Sequence, residues 1–275
     1  MSNQFTIREH RNYEVWYFQV HFGIHAMRVE WTRDKASSDW QVHTYLFHSK
    51  GDLYGVHGHQ AAPNWLETHT TRAGFEDLAW DLSFQPASSW MSVLPDSLEA
   101  AQIYDVQLKH LPLVVFSGTI TIGSKEYKLD AYKGSVGHYF GRKAAENWWW
   151  LQATDMEESG YHVSALAMRS GLLGSKPVYK IGYVHIETPH WTRHITAPLA
   201  RLSIQGGQPS LHLTYKPLFD QNVEIRFSGE HFLHPRPGIR LTLLGDLYVY
   251  MGGELVCHCL GKAAAERRLV NAKNI

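Results

Sequence analysis

Apolar and polar positions alternate with period two along most of the chain. Trp16, Phe18, Val20 and Phe22 fall on one face of a strand reading Tyr13 to Phe22, and Glu14 opens that same face. A second strand around Met27 to Trp31 ends in a polar loop, Thr32 to Asp39. Trp40, Val42, Thr44 and Leu46 alternate again, and Ser49-Lys50-Gly51-Asp52 reads as a hairpin turn. The cleanest alternation of the first half sets Leu78, Trp80, Leu82 and Phe84 against Ala79, Asp81 and Ser83. After a loop from Pro86 to Pro95, Tyr104, Val106 and Leu108 alternate, and Gly118 to Gly123 followed by Glu126 to Leu129 predicts a tight hairpin. Strands recur at similar spacing to Cys259, with Val223, Ile225 and Phe227 against Asn222, Glu224 and Arg226. Ala263 to Leu269 is the one stretch that reads as a helix, and it is short.

Many short strands separated by turn signals mean an all-β sandwich or barrel. The pattern holds about sixteen strands, too many for one small closed barrel, for which about eight are usual. Two barrel-like halves fit better, 1–135 and 136–275, with no Pro- or Ser-rich linker between them. The expected architecture is therefore two antiparallel β-barrels packed together, ending in a short C-terminal helix.

The join holds the densest chemistry. Gly134-Ser135-Val136-Gly137-His138-Tyr139-Phe140-Gly141 reads as a Gly-rich turn with one histidine, and Trp148, Trp149 and Trp150 follow. In a strand Trp148 and Trp150 face one way and Trp149 the other. A strand so bulky on both faces is expected to be covered on both sides.

Composition narrows the partners. Lys plus Arg equal Asp plus Glu at 26 each, and the pI is about 7.3, so neither nucleic acid nor an anionic membrane surface is the expected partner. With 10 Trp, 14 Tyr and 11 Phe in 275 residues, apolar pockets are expected. The cysteines, Cys257 and Cys259, flank His258; a disulfide two residues apart in a strand would be strained, so free thiols in a reducing compartment are expected. Met1 to Glu9 lacks a basic segment followed by an apolar run, and no stretch approaches the roughly 18 apolar residues of a membrane span. The expectation is a soluble cytoplasmic protein.

Glu14-Val15-Trp16-Tyr17-Phe18 resembles the opening motif of the lipocalin-like superfamily that contains carotenoid 1,2-hydratases, AttH-like proteins and, more distantly, tocopherol cyclases and fungal Diels–Alderases. His138-Tyr139-Phe140-Gly141, Trp148 to Gln152 and the Gly118 to Tyr127 hairpin resemble the group's central motifs in order and spacing. The resemblance implies two lipocalin-like barrels and cofactor-independent chemistry on a hydrophobic polyene, prenyl or polyketide-derived molecule. It also implies that His138 is the acid/base residue. Phe140 stands where the group usually has Trp. After the Trp run no carboxylate matches the hydratase pattern, Asp155 being the candidate, and both departures favour cyclisation or isomerisation over water addition.

From the residues themselves, His138 could protonate an alkene or hold an enol, or else bond to backbone. Glu14 is either a general acid or the partner of Arg28 or Lys133 at a barrel rim. Trp16, Tyr139, Phe140, Trp148, Trp149 and Trp150 are candidates to wall a substrate cavity and stabilise positive charge through their π-faces, or are core. His57 and His59 share a strand face but lack further ligands at metal spacing, so no metal is expected. The expected function is a cyclase or isomerase without cofactor. A non-catalytic binder of lipid or pigment and a hydratase of an isoprenoid alkene are the alternatives.

Overall fold

The structure, a computed structural model, describes residues 12–34, 40–49, 53–60, 69–75, 77–92, 106–141, 145, 147–170, 179–196, 200–206, 210–217 and 220–268. Among them are eighteen strands and no helix. The first sheet holds β1 (Tyr13–Phe22), β2 (His25–Asp34), β3 (Trp40–His48), β4 (Leu53–Gln60), β5 (Thr70–Phe75), β6 (Leu78–Pro86), β7 (Met91–Ser92), β8 (Val106–Ile122) and β9 (Lys125–Gly141). The second holds β10 (Asn147–Ala153), β11 (His162–Ser170), β12 (Tyr179–Glu187), β13 (Thr192–Thr196), β14 (Ala200–Gly206), β15 (Ser210–Pro217), β16 (Val223–Ser228), β17 (Ile239–Met251) and β18 (Glu254–Arg268).

Both sheets repeat one topology. The order is β4-β3-β2-β1-β9-β8-β6-β5, with β7 on β8, and then β13-β12-β11-β10-β18-β17-β16-β15-β14. Each is an antiparallel meander in which the first strand pairs with the last and the path opens between the fourth and fifth strands. Two compact units divide the chain. One comprises Met1–Leu46, Tyr54–Met91 and Leu108–Ala144, and the other Phe47–Leu53, Ser92–Gln107 and Ala145–Ile275. β9 carries the first sheet without a break through residue 135 to Gly141.

Each unit has its own core, built from the inward positions of the alternation. In the first, Phe18 is fully buried with its ring centroid 5.9 Å from Trp31, 6.2 Å from Trp80 and 5.5 Å from Phe116. Interlocked aromatic rings of this kind make Phe→Ala truncations cost about 3–5 kcal/mol. In the second, Val184, Ile186, Leu213, Ile225 and Val249 pack with both cysteines, which are free and buried. Burial pushes the Cys257 and Cys259 thiols up to about 12, with acidic neighbours adding to the shift. Among the described residues no helix is long and apolar enough to cross a membrane.

Two local expectations are corrected. The glycines of 134–141 do not make a turn. They lie in β9, where a Cβ at Gly134 would stand 2.1 Å from the Gln19 carbonyl oxygen, and one at Gly137 2.2 Å from the Tyr17 ring. Close approach, not reversal of the chain, demands glycine there. The C-terminal helix is also absent: Ala263, Ala264 and Ala265 are buried in β18, between β10 and β17. Alanine's helix preference is worth under about 1 kcal/mol per residue. Ladders on both sides, with all three methyls buried, outweigh it.

Candidate functional site

Glu14 ends the inward stripe of β1 and is buried, with 1% of its side chain exposed. The two-residue turn Gly23–Ile24 fixes the β1–β2 register so that Glu14 faces Arg33, while β9 sets Phe140 opposite Glu14 and His138 opposite Trp16. His138 is thus the diagonal neighbour of Glu14, within reach of a long side chain. The contact follows from this register. His138 donates its Nε2–H to Glu14 Oε1 at 2.7 Å, and Arg33 donates Nη2–H to Oε2 at 3.1 Å. Charge assistance and burial strengthen both bonds.

The imidazole is clamped as well as paired. The Trp16 ring stacks on it at 3.3 Å between centroids and 5° between planes, and the Phe140 ring lies 4.4 Å away. With Nε2–H directed at a carboxylate, Nδ1 is the basic atom of the neutral ring. A carboxylate that holds a histidine in one tautomer and stabilises the imidazolium is the device by which such pairs move protons. The rim pairing expected for Glu14 is corrected in its partner. Arg28 is occupied by Glu30 at 2.7 Å and lies over the Tyr17 ring, and the residue on Glu14 is Arg33.

The other candidate residues separate. Tyr139 points to the opposite face of β9 and meets Tyr13 edge-on at 5.7 Å. The tryptophan run belongs to the second sheet. Trp149 is core there, with Arg267 over its ring, while Trp148 donates to Glu266 Oε1 at 3.1 Å and Trp150 is buried on the opposite face from Trp149. Asp155 pairs with Lys262 at 2.8 Å at a half-exposed position in the second unit, beside Cys259. His57 and His59 lie on β4, whose side chains are outside the described residues. A groove of about 500 Å³ in the second sheet is lined by Gln205, His212, Arg226, Tyr248 and Tyr250 among others.

A second titratable cluster went unnoticed in the sequence. In the β11–β12 register His162 faces Glu187, and His185 lies two residues before Glu187 on the same face. Both Nε2 atoms approach Glu187 Oε2, at 3.2 and 3.4 Å. Burial pushes His185 down to about 4; burial and then the charge of His185 push His194, its partner on β13, down to about 4; burial raises Glu187. The signal was His185-Ile186-Glu187, two ligand-type side chains on one strand face.

No family model matches the chain. An uncharacterized protein of Mycobacterium tuberculosis, found in two strains, is 30% identical over 101 residues; the match covers 36% of this chain and 29% of that protein. The chain thus spans under a third of the length of the curated relatives it matches. Solved structures are similar over nearly the whole chain. An AttH-like protein from Nitrosomonas europaea superposes with TM-score 0.64 at 12% identity, covering 97% of this chain and 95% of its own. Kievitone hydratase from Nectria haematococca gives 0.63 at 9% identity, covering 95% and 90%. CghA, in a structure with Sch210972, gives 0.66 at 10% identity, covering 96% and 90%. The fold of this chain is the all-β lipocalin-like fold of those proteins, two antiparallel sheets in succession.

Proposed function

We propose that the chain is an enzyme that transfers a proton to or from a hydrophobic polyene, prenyl or polyketide-derived molecule, with His138 as the acid/base and Glu14 as the group that orients it. The observation that carries this reading is the buried His138–Glu14 contact at 2.7 Å, locked by Trp16 and Arg33. It places a carboxylate directly on His138, whereas Asp155 after the tryptophan run pairs with Lys262. Proton-dependent chemistry, whether isomerisation, cation cyclisation or water addition, therefore fits better than a purely pericyclic step. The fold similarity to a hydratase and to CghA is compatible with this reading and does not choose among the reactions. Holding an imidazole in one orientation is the kind of positioning that contributes about 10²–10⁴-fold through general acid–base catalysis.

The test is turnover in D2O against a set of linear polyenes and prenylated phenols, read by mass spectrometry. Wild-type product carrying solvent deuterium at carbon, with His138→Gln at least about 100-fold slower and its melting temperature unchanged, supports the reading. Rearranged product without deuterium, at equal rate in both proteins, would identify a pericyclic catalyst. Stoichiometric binding without product would identify a carrier. Either result refutes the proton-transfer role.

A further inference from the structure

Outside the Glu14–His138 site, the described residues bring two imidazoles and a carboxylate to one point. His162 on β11 and His185 and Glu187 on β12 share the sheet face opposite the core positions Val163, Val184 and Ile186. Their ligand atoms all lie within 4.8 Å of one another. We propose that His162, His185 and Glu187 form a binding site for a divalent transition-metal ion of the zinc class.

The distances favour this over a plain hydrogen-bonded cluster. Bonds of 2.0–2.1 Å in a tetrahedron put ligand atoms about 3.3 Å apart. The two Nε2···Oε2 separations are 3.2 and 3.4 Å, long for charge-assisted hydrogen bonds and matched to a tetrahedral edge. Closing the site requires the two imidazoles, whose ring centroids are 5.5 Å apart, to bring their Nε2 atoms to the same edge length. Two nitrogens and one carboxylate oxygen are a donor set that suits zinc or ferrous iron better than magnesium or calcium, which take oxygen.

The ligands stand on adjacent strands joined over nine residue pairs, so the backbone that carries them is held in register before any ion arrives. His162 and His185 are buried, while a third of the Glu187 side chain is exposed, which leaves an entry path on one side. Three protein ligands leave a fourth position for water. His194 pairs with His185 across β12 and β13, with ring centroids 5.7 Å apart.

Protein stripped with a chelator and dialysed should bind one Zn²⁺ per chain on titration calorimetry, with Kd below about 1 µM. Co²⁺ in its place should give the visible absorption of a tetrahedral nitrogen–oxygen site. Glu187→Gln and His185→Gln, confirmed folded by their melting curves, should each weaken zinc by at least about 100-fold. Wild-type binding weaker than about 100 µM, or a Kd unchanged in both variants, overturns the proposal, the latter because zinc would then sit on other histidines of the 18. The cobalt spectrum is read on the wild type, so an octahedral spectrum refutes the site even if a variant fails to fold.

Discussion

Glu14 joins three strands through its two oxygens, and a double-mutant cycle measures what that junction is worth. Glu14→Gln keeps the shape and one hydrogen bond but removes the charge. Arg33→Met keeps the apolar stem and removes the guanidinium. With Nη2···Oε2 at 3.1 Å the charge centres stand near 4 Å apart. At an effective dielectric of about 20, that separation gives an attraction of about 4 kcal/mol before desolvation. Glu14 has 1% of its side chain exposed and Arg33 23%, so Glu14 carries most of the desolvation penalty. Removing one member of a buried pair costs about 3–5 kcal/mol. The hydrogen bond that Gln retains returns about 1 kcal/mol, so Glu14→Gln should destabilise by about 2–4 kcal/mol. Arg33→Met should cost less, about 1–2 kcal/mol, because its guanidinium is partly solvated and His138 still bonds the carboxylate. The double variant should be less destabilised than the sum of the single ones by about 1–2 kcal/mol, up to the whole cost of Arg33→Met. Urea unfolding of all four proteins, followed by tryptophan fluorescence, reads this coupling. Additivity within about 0.5 kcal/mol would mean the groups do not interact, and the account of the site would fall.

Glycine substitutions separate close approach from backbone strain. Gly137→Ala drives a methyl into the Tyr17 ring and should cost about 2–3 kcal/mol or more, whereas Gly123→Ala, with φ of 58° and nothing within 4 Å, should cost about 1 kcal/mol; equal melting temperatures would refute the distinction. The buried thiols should not react with Ellman's reagent at pH 8 in the native protein, and two per chain should react once urea unfolds it; rapid native labelling would contradict their burial. Because both thiols hold their protons up to about 12, above the usual value of 9.0, they contribute stability that is present below pH 9 and lost as pH rises toward 12. Replacing both with Ser should flatten that alkaline decline of the urea midpoint, and an unchanged slope would show the thiols do not cause it.

Period-two alternation made the strands legible, because one face of each strand meets a core and the other does not. It failed where a different force set the local structure. At 134–141 glycine suggested a turn, yet the reason for glycine is a carbonyl and a ring on the neighbouring strand, which no local pattern reveals. At 263–265 three alanines suggested a helix, but the ladders that hold them in β18 come from residues 151–152 and 242–245. Glu14 and His138 were each visible as candidates. Their contact was not, since it depends on β1 pairing with β9. Arg33 was within reach of sequence reasoning: a two-residue turn at Gly23–Ile24 makes the numbers of paired residues add to 47, which sets Arg33 opposite Glu14. Reading Thr32 to Asp39 as a loop hid it.

The pairing of first strand with last also sets a timetable for the chain as it is made. Glu14 and His138 are 124 residues apart, and closing a loop of that length costs about 4 kcal/mol of chain entropy before the β1–β9 ladder forms. The β1–β2 hairpin needs only local chain and closes in microseconds. At roughly 5–20 residues per second, synthesis leaves the open edge of β1 waiting for about 6–25 s until residue 138 is made. That edge carries Trp16, Phe18 and Phe22, so the nascent chain presents an aromatic strand edge throughout the interval. The second unit repeats the delay, with Trp148 and Glu266 118 residues apart. A truncated or stalled chain therefore carries Glu14 without His138, and their contact comes into being only when a whole unit has closed.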